Sequence, residues 1–151
     1  MTTDGIDDTD YIQAFMTERS VSLDRSALIV VDMQNATGAR DGALGRRMAK
    51  ERSPSPNYRF DRIEALVVPN TKRLLAGFRA GGGGVVYLTV GAGRKDAADA
   101  PPHMRKLFLE TDNYVGSREH EIVDELKPEP GELILRKTSI GAFASTGIDH
   151  M

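Results

Sequence analysis

Asp32 follows directly on five apolar residues, Ala27-Leu28-Ile29-Val30-Val31, and is itself followed by Met33-Gln34-Asn35. A second apolar run, Glu132-Leu133-Ile134-Leu135, ends in Arg136-Lys137. Aliphatic runs of this length, rich in β-branched residues, predict parallel strands buried on both faces, the first of them central in its sheet. Open α/β sheets hold their ligands in the crevice beyond the carboxyl ends of such strands. Two strands that deliver a carboxylate and an ammonium to one rim are the skeleton of a catalytic site.

The elements that must position these two groups follow from patterning. The third strand-like run, Val85-Val86-Tyr87-Leu88-Thr89-Val90, stands between them in sequence. Phe60 to Ala80 predicts a helix, since Leu74, Leu75 and Phe78 share one side and Gly81 suits its end. Pro69 is poorly placed inside a continuous helix, so Ile63 to Val68 is expected to form a separate preceding turn. Ser117 to Leu126 predicts a second helix, capped by Ser117 and ended by Pro128 and Pro130. Asn35 to Tyr58 and Gly91 to Asn113 lack sustained periodicity and read as long loops leaving the carboxyl ends of two strands, which is where functional loops sit. Residues 1–25 read as an N-terminal arm, and 26–151 as the N-terminal part of a domain. The order β-loop-α-β-loop-α-β is that of a parallel sheet with right-handed crossovers, an α/β fold of the three-layer, doubly wound kind.

Composition sets outer bounds. A chain of 151 residues with 28% charged residues is long enough for one domain with a real core. A formal charge of −2 provides no basic field, so nucleic acid is not the expected partner. No apolar stretch approaches the ~20 residues needed to cross a bilayer. The acidic start Met1-Thr2-Thr3-Asp4-Gly5-Ile6-Asp7-Asp8 has no basic region of the signal-peptide kind, and a cytoplasmic location is expected. There is no cysteine, hence no disulfide and no thiolate among these residues.

The sequence also reads as the first part of a longer fold. Thr146 is a good cap and Ile148 and Met151 begin an apolar stripe, but the helix they announce stops after one turn. Three buried parallel strands are expected to need further neighbours and helices on both faces.

From Ser26 to Met151 the chain resembles the isochorismatase-like cysteine hydrolases. The resemblance rests on Ala27-Leu28-Ile29-Val30-Val31-Asp32-Met33-Gln34-Asn35, on Val85 to Val90, and on Pro130-Gly131-Glu132-Leu133-Ile134-Leu135-Arg136-Lys137 followed by Ala142-Phe143 and Thr146. It implies a cysteine nucleophile that attacks an amide or related carbonyl, with Asp32 taking the thiol proton and Lys137 assisting. The chemistry suits those residue types: a thiol needs a base or a positive charge to become a thiolate, and lysine is a compact cation that can stabilise thiolate or oxyanion. The nucleophile would lie beyond Met151, so the chain holds two members of a three-member site. Family members that carry a metal have histidine near the end of the second strand. Here Gly91-Ala92-Gly93-Arg94-Lys95 follows Val90, so neither metal nor other cofactor is expected. The implied substrate is a small amide, carbamoyl, ureido or biuret-type compound, or an isochorismate-like ether, and the implied assembly is a homodimer or homotetramer.

Plainer readings stand beside these. Asp32 could cap a turn and Lys137 could be a solvated strand end. Gln34 is a candidate substrate contact, or orients the loop, or faces solvent. Phe143 is a candidate substrate contact or an ordinary core or pocket-wall residue. Arg94, with Lys95, could reach the site from its loop or remain solvated. His103, His120 and His150 are scattered and read as surface residues. Gly81 to Gly84 resembles a phosphate loop only in composition, because it precedes its strand. Two other functions fit the same pattern: a catalytically inactive binding or assembly subunit, and a flavodoxin-type binding module.

Overall fold

A computed structural model describes Phe15, residues 20–51 and residues 55–151 of the chain. Most of the expected N-terminal arm lies outside the described residues; its last part forms a single 3-10 turn, Leu23–Arg25, ahead of the first strand. Three strands, β1 (Ala27–Val31), β2 (Gly84–Val90) and β3 (Leu133–Lys137), make one parallel sheet in the order β1-β2-β3. The register sets Val31 beside Leu88, Leu88 beside Leu135 and Val90 beside Lys137, so all three carboxyl ends share one rim. The protein is thus α/β, built on a parallel sheet.

The position of β1 differs from the expectation. Among the described residues β2 is the strand paired on both sides, and Val85 to Leu88 are all at most 8% exposed. Among the described residues β1 is paired on one side only, with Ile29 and Val31 44% and 49% exposed. A run of five aliphatic residues fits either position, because apolarity reports burial without saying which neighbour provides it.

Alternation along the strands sends Val30, Val85 and Tyr87 to one face. There they pack with Leu75, Ile122, Val123 and Leu126 in the main apolar cluster. Leu75 comes from α4 (Val68–Ala80), which continues α3 (Ser55–Arg62) through a π turn, Ile63–Val67. Pro69 cannot donate to the carbonyl four residues back, and the wider turn ahead of it absorbs that missing bond within the first turn of α4. At the other end of α4, Arg79 grips both oxygens of Glu132 at 2.7 and 2.9 Å, tying the helix to the turn before β3.

Two expected loops contain helices. Asn35 to Tyr58 folds into α1 (Asn35–Gly38), α2 (Ala43–Lys50) and the start of α3. The cap of α2 is distant in sequence: the buried carboxylate of Glu119 accepts from the N–H of Ala43 at 2.9 Å and from Arg46 at 2.9 Å. Gly45 lets the helix pass close to the chain before it, since a Cβ there would lie 1.9 Å from the carbonyl oxygen of Arg40. The loop after β2 contains α5 (Pro102–Glu110), whose Met104 and Phe108, one turn apart, bury against Ala92, Ala97 and Ala100.

The helix expected over Ser117 to Leu126 is replaced by two short 3-10 turns, Arg118–His120 and Asp124–Leu126. Ser117 does cap, its Oγ accepting from the N–H of His120 at 3.1 Å. Between the turns, the main chain of Glu121 and Val123 bonds instead to Asn35 and Met33, at 2.9 and 3.0 Å. Those tertiary bonds use the backbone groups that a helix would have paired internally. After β3 a last 3-10 turn, Ile148–His150, follows Thr146, whose Oγ1 accepts from the N–H of Ile148 at 3.3 Å.

Candidate active site

Asp32 sits one residue beyond β1 with φ of 55°, its N–H donating to the carbonyl of Leu88 at 2.9 Å. This left-handed conformation is uncommon outside glycine but tolerated by aspartate and asparagine. Lys137 is the last residue of β3 and is 3% exposed. Its Nζ donates to Asp32 Oδ2 at 2.8 Å, closing a contact between residues 105 apart in sequence. The Asp32 side chain is 36% exposed, so the pair opens to solvent on the carboxylate side.

The second carboxylate oxygen is the unusual atom. Asp32 Oδ1 is buried and has no hydrogen-bond donor among the described residues. Leaving a buried acceptor unpaired costs about 1–3 kcal/mol, more for a charged group. One oxygen is engaged by a cation and the other has no donor, so the pair offers a hydrogen-bond acceptor with positive charge beside it to balance an anion.

Gln34 is fully buried and touches the backbone of the neighbouring strand end. Its Oε1 accepts from the N–H of Val90 at 2.7 Å, and its Nε2 donates to the carbonyls of Val90 and His120 at 3.1 and 2.8 Å. It therefore extends the β1–β2 pairing past the end of β1 and, being fully buried, does not face solvent. Arg94 is exposed and turned onto Asp96 at 2.8 Å, an interaction that holds the Asp96 carboxyl down at about 2. Phe143 is 73% exposed, so it is not a core residue among the described contacts. Lys95 lies 6.0 Å from the Tyr114 ring centroid.

His103 and His150 lie at the surface, but His120 does not behave as expected. It is half-buried, with Nδ1 2.9 Å from Asn113 Oδ1. Burial, reinforced by the positive charge of Arg136, pushes its imidazole below the ordinary histidine range. Sequence offered no signal for it, because its partners Gln34 and Asn113 are brought in by the fold.

Asp99 was also missed. Its carboxylate accepts from the N–H groups of Gly93 and Arg94 at 2.7 and 3.1 Å and shapes the loop after β2. Burial alone would raise its pKa, but those backbone donors outweigh burial and leave it below the usual carboxylate range. Among the described residues no group of three or more histidine or carboxylate side chains is arranged to hold a metal ion.

Residues 26–151 match the isochorismatase domain family. The ureidoacrylate amidohydrolase RutB of Pantoea ananatis is 28% identical over 141 residues, covering 84% of this chain and 52% of that protein. The corresponding protein of an Enterobacter species is 30% identical over 140 residues, covering 83% and 56%. The chain thus spans about half the length of the curated relatives it matches. Among solved structures, an isochorismatase family protein from Desulfovibrio vulgaris superposes with a TM-score of 0.58 at 33% identity, over 83% of this chain and 58% of the other. N-carbamoylsarcosine amidase from Thermoplasma acidophilum shares the fold, with a TM-score of 0.53 at 23% identity over 83% and 58%. With the strand-end aspartate and lysine in contact and the match running from β1 to the last residue, the chain belongs to the isochorismatase family.

Proposed function

We propose that this chain carries the proton-accepting and charge-balancing part of a cysteine hydrolase acting on a small amide, carbamoyl or ureido C–N bond. Asp32 is the base and Lys137 its electrostatic partner. The thiol comes from outside these 151 residues, which contain no cysteine. The observation that carries the reading is the free, buried Oδ1 of Asp32 beside a lysine already bound to Oδ2. In the reaction, the thiol proton passes to Oδ1 as sulfur attacks the carbonyl carbon, and Lys137 balances the negative charge that develops. Collapse of the tetrahedral species breaks the C–N bond, and the amine leaves with the proton held on Asp32. Water then attacks the thioester carbonyl and passes a proton to Asp32; collapse breaks the C–S bond, releases the acid and returns that proton to the departing thiolate. The resemblance to ureidoacrylate amidohydrolases favours a ureido or carbamoyl substrate, no cofactor is required, and the expected setting is cytoplasmic, as a homodimer or homotetramer.

The test is hydrolysis of ureidoacrylate and N-carbamoyl amino acids by the whole protein, with and without iodoacetamide. Alkylation-sensitive release of amine supports the reading. The Asp32→Asn variant, which keeps a side chain tolerant of this backbone conformation, is expected to lower kcat about 10²–10⁴-fold. Full activity in Asp32→Asn, or hydrolysis indifferent to alkylation, sinks it. Ligand binding without turnover would support the inactive binding subunit instead.

A further inference from the structure

The described residues hold a buried polar cluster beside the strand ends that the proposed reaction does not itself use. His120, Asn113 and Gln34 meet directly behind the ends of β1 and β2. The two amide hydrogens of Gln34 have main-chain acceptors, the carbonyls of His120 at 2.8 Å and Val90 at 3.1 Å. His120 Nδ1, 2.9 Å from Asn113 Oδ1, is therefore the protonated nitrogen and donates to Asn113. Nε2 is left as an acceptor, 3.5 Å from Thr89 Oγ1, facing a cleft of about 360 Å³ lined by Glu121, Ile122, Lys127, Pro128 and Ile134.

The ring also packs tightly on the second strand end. A Cβ on Gly91 would lie 2.5 Å from His120 Nδ1 and 2.8 Å from Asn113 Oδ1, so only glycine fits there. The N–H of Gly91 donates to the carbonyl of Lys137 at 3.2 Å. The main-chain carbonyl of His120 holds Gln34, two residues after Asp32, while its ring packs against Gln34 Nε2, 3.1 Å from Nδ1, and against Gly91, which is bonded to Lys137. It stands at the junction of the two segments that carry the ion pair.

We infer that His120 is a positioning residue: acting through Gln34 and Gly91, it holds Asp32 and Lys137 in the geometry that proton transfer needs. This rests on the reading of that pair as base and partner. A second proton, on Nε2, would place a cation beside Arg136 of β3 and near Lys127, with only Glu121 of opposite sign lining the cleft. Repulsion from those cations disfavours the charged ring in its packed position against Gly91 and Asn113.

The test compares His120→Ala and His120→Asn in the whole protein. Asparagine can place an N–H near the position of Nδ1 but does not titrate. His120→Ala is expected to lower kcat about tenfold with KM within about twofold, as misplaced reacting groups do. His120→Asn should restore most of kcat at neutral pH and should lose less of it than the wild type when acid, below the ordinary histidine range, protonates the imidazole. Equal kcat and identical acid limbs in all three proteins would overturn the inference. If the wild type proves not to be a hydrolase, NMR decides separately. The Gln34 side-chain amide and the Asp32 carboxyl resonances should move in His120→Ala and stay in His120→Asn; shifts confined to Asn113 would overturn the positioning role while leaving the proposed reaction untouched.

Discussion

At the scale of single residues, the Asp32–Lys137 pair and His120 respond differently to substitution and to pH. Removing the lysine leaves a carboxylate without its cation. A fully buried pair broken this way loses about 3–5 kcal/mol. Because the Asp32 side chain is 36% exposed, solvent makes good part of that loss. The Lys137→Ala variant is expected to lose about 1–2 kcal/mol in a urea titration, with a larger effect on turnover than on the fold. For His120 the folded imidazole binds its proton more weakly than the unfolded one. The unfolded chain therefore gains protons first as pH falls through ~6.5, and folding stability, complete above that value, declines toward the lower folded value. Urea midpoints at pH 7.5 and 5.5 should show the decline in the wild type and a smaller one in His120→Asn. Glu132, held below the ordinary range by Arg79, adds a separate loss at more acid pH, below ~4.5, so the two effects can be told apart.

At the scale of elements, the local sequence predicted what local physics controls. The aliphatic strands, the helix carrying Leu75 and the cap at Ser117 stand where their residue types put them, whereas the separate turn expected ahead of Pro69 is a π turn inside one continuous helix. The misreadings share a different cause. α2 contains glycine and consecutive arginines, and its N-terminal cap is a side chain 76 residues away. Glu119→Ala should cost about 1 kcal/mol, as the loss of an N-cap does, and should raise amide exchange specifically over Ala43–Lys50. Unchanged exchange there would show that the helix stands without its distant cap. The segment from Ser117 to Leu126 has a helical apolar pattern, yet its backbone bonds with Met33 and Asn35 prevail. Periodicity identified the buried side chains Ile122, Val123 and Leu126 and missed the backbone path that buries them.

At the scale of the molecule, one sheet face carries α4 and the main cluster, while on the other Ile29, Val31 and Leu133 remain 44–49% exposed among the described residues. Apolar side chains concentrated on one face commonly mark a surface that packs against something else. A homo-oligomer of two or four copies is the expected state, and sedimentation of the whole protein over a range of concentrations checks it; a single copy per particle throughout would exclude it.

Read alone, the sequence determined which residue types end the strands and which family they resemble, because burial of aliphatic runs and the charge at their ends are properties of contiguous residues. It could not decide that Asp32 and Lys137 touch, that one carboxylate oxygen is left without a donor, or that Gln34 and His120 meet behind the strand ends. Those facts depend on register and on contacts between segments 56 to 105 residues apart. Only the folded sheet sets such distances, since no short-range preference of the chain encodes them.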